Sequence, residues 1–342
     1  MPSPLRLDLD GAALVANWRL MRDRNPQAAC GAAIKADGYG LGARGVADRL
    51  IDAGCRDFFV ATWAEAAALG PLGEGIALSV LHGVRAEDMA AALARPARPV
   101  LDTPAQVARW KAAGGGACDV MVDTGMNRLG LTPAEAMSGL LDGMAVATLH
   151  SHLACADEPG DAINETQRAA FAEVRARVPA ARYSLANSAG VLLGPDYAFD
   201  LTRPGLALYG GVPVAGFAGI RQVVRPHVQV LQVREVAAGQ SVGYGAQWRA
   251  SAPTRIAILN IGYADGFFRG LGEGLVGKAG GRTIEVLGRV SMDLLAVRAP
   301  PGIGEGDWIE LPFALPDLAA RSGMSQYELL TSLGPRYQRR WT

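Results

Sequence analysis

Residues 28–53 read AACGAAIKADGYGLGARGVADRLIDA: an apolar run, a glycine-rich turn and a helical pattern in succession. The run 31–35 has the length and composition of a strand buried on both faces, and it ends on Lys35. The helical pattern 41–53 follows at once. This unit recurs along the chain. Further strands are expected at 57–62, 76–82, 98–101, 118–123, 146–152, 183–186 and 199–202. Helical patterns at 64–69, 86–93, 104–113, 133–140 and 165–176 lie between them, and another at 10–22 precedes the first strand. Eight strands alternating with helices predict an α/β fold, a TIM-like (β/α)8 barrel over residues 1–211.

Past residue 212 the pattern changes. The segments VQVLQVREV, TRIAILNIGYA, RTIEVLGRVSM and DWIELPF are β-rich and separated by glycine turns, with one helical pattern at 324–332. Residues 212–342 are therefore expected to form a second, mostly-β domain.

In a barrel, residues at the C-terminal ends of the strands converge on one mouth, where active sites are built. Lys35 follows the first strand, Arg128 the fifth, His152 ends the sixth, Asn187 and Ser188 follow the seventh, and Arg203 the eighth. The loops after strands seven and eight read NSAG and RPGLALYG, rich in small residues. They suit a phosphate cradle built on Ser188 and the amides near Ala189, Gly205 and Leu206, and equally an ordinary pair of turns.

Of the 33 basic residues only three are lysine: Lys35, Lys111 and Lys278. An amine can lose its proton and form an imine, whereas a guanidinium cannot. Lys111 lies near the end of a helical pattern and Lys278 in an expected turn, which leaves Lys35 as the lysine on a buried strand.

The composition sets bounds. Half of the 342 residues are hydrophobic and 19% are charged, ample for a sizeable core. The formal net charge is zero, so no broad field favours nucleic acid or an anionic membrane. Cys30, Cys55, Cys118 and Cys155 form no CxxC pair and read as reduced thiols, Cys155 as a buried one. The opening MPSPLRLDLD has no apolar core of a signal peptide, and no apolar run is long enough to span a membrane, so a cytoplasmic protein is expected.

The motifs AAIKADGYG, DTGMNRLG, SHLACADE, ANSAG, RPGLALYG, VGYG, GYADGFFR, GRVSMD and QYELLTSLGPRY, in that order over nearly the whole chain, resemble those of the alanine racemase family. The resemblance implies pyridoxal 5′-phosphate (PLP) held as an imine on Lys35, interconversion of L-alanine and D-alanine, and a homodimer with shared active sites. It implies two catalytic bases, Lys35 and a partner-contributed Tyr263, on opposite faces of the substrate. It sets Arg203 against the pyridine nitrogen, with His152 linking Arg203 to Tyr263. Tyr39, Asn187, Ser188, Gly205, Leu206 and Tyr327 match phosphate-binding or neighbouring positions. Arg128 and the Met292 amide match contacts to the substrate carboxylate.

The chain departs from the family in two places. Many members carry a carbamylated lysine where Met121 stands, so Arg128 needs another support, such as a bound anion or Asn127. Ser325 stands where an apolar residue is frequent, which leaves room for substrates beyond alanine, such as serine.

Other readings have less behind them. GLGARG at 40–45 satisfies GxGxxG, but the acidic residue of a dinucleotide site is missing from the second strand's end. His150 and His152 share a strand face that suits a metal, yet further ligands are not evident. A non-catalytic PLP carrier would lack the β domain. A decarboxylase of the same fold type matches the motifs less well.

Overall fold

The computed structural model describes residues 3–272, 275–279 and 281–342. The chain divides into two compact units, Leu14–Arg221 and a second that joins the segment ending at Ala13 to Gln222–Thr342.

In the first unit seven parallel strands pair in chain order: Ala32–Ala33, Asp57–Val60, Ala77–Val80, Arg98–Leu101, Cys118–Met121, Val146–His150 and Arg182–Ser184. The eighth, Leu201–Thr202, pairs in parallel with Ala29–Cys30. The first barrel strand is thus split at Gly31, its lower half bonded to strand eight and its upper half to strand two. A Cβ at Gly31 would lie 2.8 Å from Asp57 O, so only glycine passes there. The Arg203 N–H donates to Ala186 O at 2.8 Å and the Asp200 N–H to Tyr183 O at 3.0 Å, which joins strand eight to strand seven. The expected (β/α)8 barrel is present with all eight strands.

The helices follow the sequence pattern because their caps do. Thr62 and Glu65 form a reciprocal capping box before Trp63–Leu69, and Thr103 caps Pro104–Ala112 with proline in the first turn. The helix expected at 133–140 stops at Ala136, ahead of Gly139 with φ of 86°. Inside the barrel a polar cluster replaces part of the apolar core. Buried Asp119 accepts from Ser79 Oγ through Oδ2 at 2.5 Å, and His150 Nε2 lies 3.6 Å from the same oxygen, while Arg98 Nε lies 3.4 Å from Oδ1.

The second unit is built on the long strand Val224–Val236, which pairs antiparallel with Thr254–Leu259, Trp308–Glu310 and Leu5–Leu9. The strand Leu5–Leu9, to which the sequence pattern gave no element, alternates buried and half-buried residues and also pairs in parallel with Gln338–Trp341. The helix expected at 324–332 is Gln326–Thr331, and a further helix, Leu315–Ser322, precedes it. Lys278, expected in a turn, lies on the hairpin strand Val276–Ala279.

Candidate active site

Beyond Lys35 the backbone makes one left-handed turn: Ala36, Asp37, Gly38, Tyr39 and Gly40 have φ of 53°, 52°, 62°, 55° and 82°. Left-handed helix costs a non-glycine residue about 1–2 kcal/mol, so the surroundings must impose it. The Ala36 N–H donates to Glu65 Oε1 at 2.8 Å and the Ala43 N–H to Asp37 Oδ1 at 2.8 Å. The Gly38 and Gly40 N–H groups reach Ile34 O and Ala36 O, each at 2.8 Å. The turn brings Tyr39 onto Tyr209, with ring centroids 4.5 Å apart, and Tyr209 Oη donates to Ala33 O at 2.7 Å. A Cβ at Gly205 would sit 2.2 Å from Tyr39 Oη, so Tyr39 and Gly205 meet at the mouth. GLGARG at 40–45 is the exit of this turn, where Gly40 and Gly42 hold φ of 82° and 94°.

Cations crowd the mouth. Burial, followed by the charges of Arg128 and Arg203, holds the Lys35 amine below the usual lysine range, against the pull of Glu65. Arg203 is only 6% exposed. It donates to Ser184 Oγ, to Ser151 O at 2.6 Å, and approaches His152 Nδ1 at 3.5 Å. Burial lowers the Arg203 guanidinium to about 10, with Asp119 opposing, so it stays charged at neutral pH. Burial, with Arg203, Arg128 and Lys35 adding to it, pushes His152 down to about 3. The imidazole is neutral, and Nδ1 can accept from Arg203. This is a site with an amine shifted toward its neutral form and a fixed donor that stays protonated at neutral pH.

The loops after strands seven and eight are tied to each other. Ser188 Oγ, buried, accepts from the Gly205 N–H at 2.9 Å and the Ala207 N–H at 3.3 Å. Asn187 Oδ1 accepts from the Gly190 N–H at 2.8 Å. Leu206 then opens a short 3-10 turn, Leu206–Tyr209.

Arg128 sits in a loop whose support the sequence reading missed. The Asp123 carboxylate gathers the N–H groups of Gly125, Asn127 and Arg128 at 2.9, 3.0 and 2.7 Å. These bonds hold the carboxyl below its ordinary range although burial opposes them. Asn127, named from the sequence as a support for Arg128, contributes its backbone N–H to Asp123 in left-handed conformation at φ 56°. The signal was present: an acid two residues before a glycine in DTGMN is an Asx-turn pattern. Met121 is buried beneath this loop, where a Cβ on Gly130 would lie 3.1 Å from its Cγ.

Tyr263, Met292 and Tyr327 belong to the second unit. The Tyr263 N–H donates to Ser291 O and the Ala264 N–H to Met292 O, both at 3.1 Å, so Tyr263 and Met292 stand on adjoining turns. The Arg269 guanidinium lies 5.4 Å from the Tyr263 ring centroid, a cation–π neighbour that the sequence reading did not single out. Tyr327 is on the helix Gln326–Thr331, and Met292 and Tyr327 are 53% and 44% exposed. Ser325 caps that helix in a reciprocal box with Glu328.

Residues behind the weaker readings have structural employment. His150 faces Asp119 inside the barrel. Lys111 Nζ donates to Leu140 O and Asp142 O at 2.8 and 2.9 Å. Cys155, expected to be buried, is half-exposed, whereas Cys30, Cys55 and Cys118 are buried.

Two family models match the chain: alanine racemase, N-terminal domain, over residues 9–213, and alanine racemase, C-terminal domain, over residues 223–341. The chain is 44% identical to an alanine racemase of Acidiphilium cryptum, covering 97% of each protein. It is also 44% identical to one of Rhodospirillum rubrum, covering 98% of this chain and 95% of that one. Among solved structures, a Bartonella henselae alanine racemase with covalently bound pyridoxal phosphate superposes with a TM-score of 0.91, at 33% identity and full coverage of both chains. A biosynthetic alanine racemase of Pseudomonas aeruginosa gives 0.88 at 35% identity, also with full coverage of both.

Proposed function

The chain belongs to the alanine racemase family, and we propose from that premise that it interconverts L-alanine and D-alanine with PLP bound through Lys35. The observation that carries this reading is the Lys35 amine, lowered in pKa beside Arg203 and a neutral His152 at the barrel mouth. A lysine must be neutral to form an imine, and this environment favours the neutral form.

The residues present fit the cofactor. Gly205 has no space for a side chain against Tyr39 Oη, and Ser188 Oγ ties the Gly205 and Ala207 N–H groups into the adjoining loop, an arrangement of small residues that suits a phosphate. Tyr39, Asn187, Ser188, Gly205, Leu206 and Tyr327 are its proposed surroundings. PLP, when bound, makes the α-hydrogen of an attached amino acid acidic. Arg203 offers a donor that does not surrender its proton, held by Ser184, Ser151 and His152.

Racemisation needs proton transfer on both faces of the α-carbon. Lys35 serves one face. Tyr263 of a second copy serves the other, with the Met292 amide and Arg128 directing the substrate carboxylate. The exposure of Met292 and Tyr327 on a single chain, with Tyr244 at 71%, supports a homodimer that covers them. Four free cysteines support a cytoplasmic location, and among the described residues no helix is long and apolar enough to cross a membrane.

Incubation with L-alanine in D₂O tests the reading. Loss of optical rotation together with α-deuteration is expected. Release of CO₂, or racemisation of serine in preference to alanine, would replace it.

A further inference from the structure

Arg336 fastens together the two turns that carry Tyr263 and Met292. Its Nε donates to Asp265 Oδ1 at 2.6 Å and its Nη2 to Asp265 Oδ2 at 2.8 Å, a two-pronged grip. Its Nη1 donates to Asp293 Oδ1 at 2.8 Å. Asp265 follows Tyr263 by two residues, is 1% exposed, and also takes the Gly262 N–H at 3.0 Å. Asp293 adjoins Met292 in the turn that Ser291 Oγ closes on Leu294.

We propose that Arg336 is a positioning residue for the reaction, fixing the Tyr263 side chain relative to the Met292 turn by bridging Asp265 and Asp293. The inference rests on the reading of Tyr263 as one of two bases. Without the guanidinium the hydrogen bonds left between the two turns, among the described residues, are the backbone ones to Ser291 O and Met292 O, and the two carboxylates repel each other. The backbone is closely approached at three glycines around these turns. A Cβ at Gly262 would fall 2.2 Å from Met292 O, and one at Gly266 would fall 2.8 Å from Ser332 O. Gly334, two residues before Arg336, faces Ala264 O, with a Cβ there at 3.0 Å. Arginine suits this place because its planar fork meets one carboxylate with two N–H groups and still reaches a second acid. An ammonium offers no such fork.

The two-base scheme separates a positioning role from a merely structural one. A base on one face can remove the α-proton and return deuterium to the same face, giving exchange without inversion. Inversion needs both bases. Wild type, Y263F, R336M and R336K are compared as PLP-loaded enzymes in D₂O with each enantiomer. Y263F is expected to lose racemisation while one enantiomer still exchanges with retention. R336M should follow it, with the ratio of racemisation to retained exchange at least about tenfold below wild type, and R336K falling between. In the apo protein, backbone amide exchange at 262–266 and 291–294 should accelerate in R336M while that of 28–53 does not.

The proposal is overturned if R336M racemises as wild type, if racemisation and both exchanges fall in equal proportion, or if protection of the two turns is unchanged. Should R336M fail to fold, R336K decides by the same ratio and the same amides. Wild-type racemisation by Y263F would instead remove the reading of Tyr263 as a base.

Discussion

Lys35 leaves a barrel strand that is hydrogen-bonded on both sides, whereas Tyr263 stands in a short turn tied to the Met292 turn by two backbone bonds and by an arginine 71 residues away from Asp265 in sequence. The first arrangement uses repeating structure to place a side chain, and the second uses single contacts between distant segments. A substitution at the barrel mouth should therefore act on chemistry with the barrel intact. One around Tyr263 should act on geometry.

Lys35→Ala should give the largest effect, a loss of at least about 10³-fold in kcat with thermal stability of the apo protein little changed, since the proposed base and the proposed imine-forming amine vanish together. Steady-state assays and melting curves on one preparation would check both halves. Unfolding of the variant would break the contrast with Tyr263.

Arg203→Gln should lower kcat by about 10²-fold, the scale for removing a preorganised donor. Ser151 O and Ser184 Oγ also lose the Arg203 donor, Ser184 keeping its bond to Leu201 O, so this variant should melt earlier than Lys35→Ala. Assays in both reaction directions measure the first effect and calorimetry the second. Equal melting temperatures for the two variants would mean that Arg203 supports no structure.

Gly205→Ala pushes a methyl group toward Tyr39 Oη, and overpacking of about 1–3 kcal/mol should weaken PLP affinity by roughly tenfold or more. Cofactor titration of the apo protein reads it. Unchanged affinity would show that the mouth relaxes as easily as a surface turn.

At Asp102 the expected effect is on stability rather than on rate. It follows the fourth strand, fully buried, with neither carboxylate oxygen hydrogen-bonded among the described residues. Burial pushes its carboxyl from 3.8 up to about 8. Between those values the native state keeps a proton that the unfolded chain gives up, so this group's stabilisation is lost as pH rises through that window. The melting temperature of Asp102→Asn relative to wild type should climb from about pH 5 to about pH 8. A constant difference would show that Asp102 is ionised.

The contrast also explains what could be read from the sequence. All eight barrel strands followed from short, largely apolar runs, because a parallel strand buried on both faces is mostly apolar even where a polar cluster such as Ser79, Asp119 and His150 interrupts it. Lys35, Arg128, His152, Asn187, Ser188 and Arg203 followed from their places at strand ends. Tyr263, Met292 and Tyr327 came only from resemblance, since no periodicity marks a side chain on a turn or exposed on a short helix. Asp123 was missed because its work is done through backbone N–H groups. Leu5–Leu9 was missed because its sheet partners lie more than 200 residues away, at Val224–Val228 and beyond. The left-handed turn after Lys35 was not legible either, because Ala36 and Asp37 adopt it only under the hold of Glu65 and Ala43.

The central claim, that Lys35 carries the cofactor, is tested most directly by borohydride reduction of the PLP-loaded wild type followed by peptide mass mapping. The account predicts a pyridoxyl group on the peptide containing Lys35, and no label in Lys35→Ala treated in the same way. A pyridoxyl group on Lys111 or Lys278 of the wild type would contradict it.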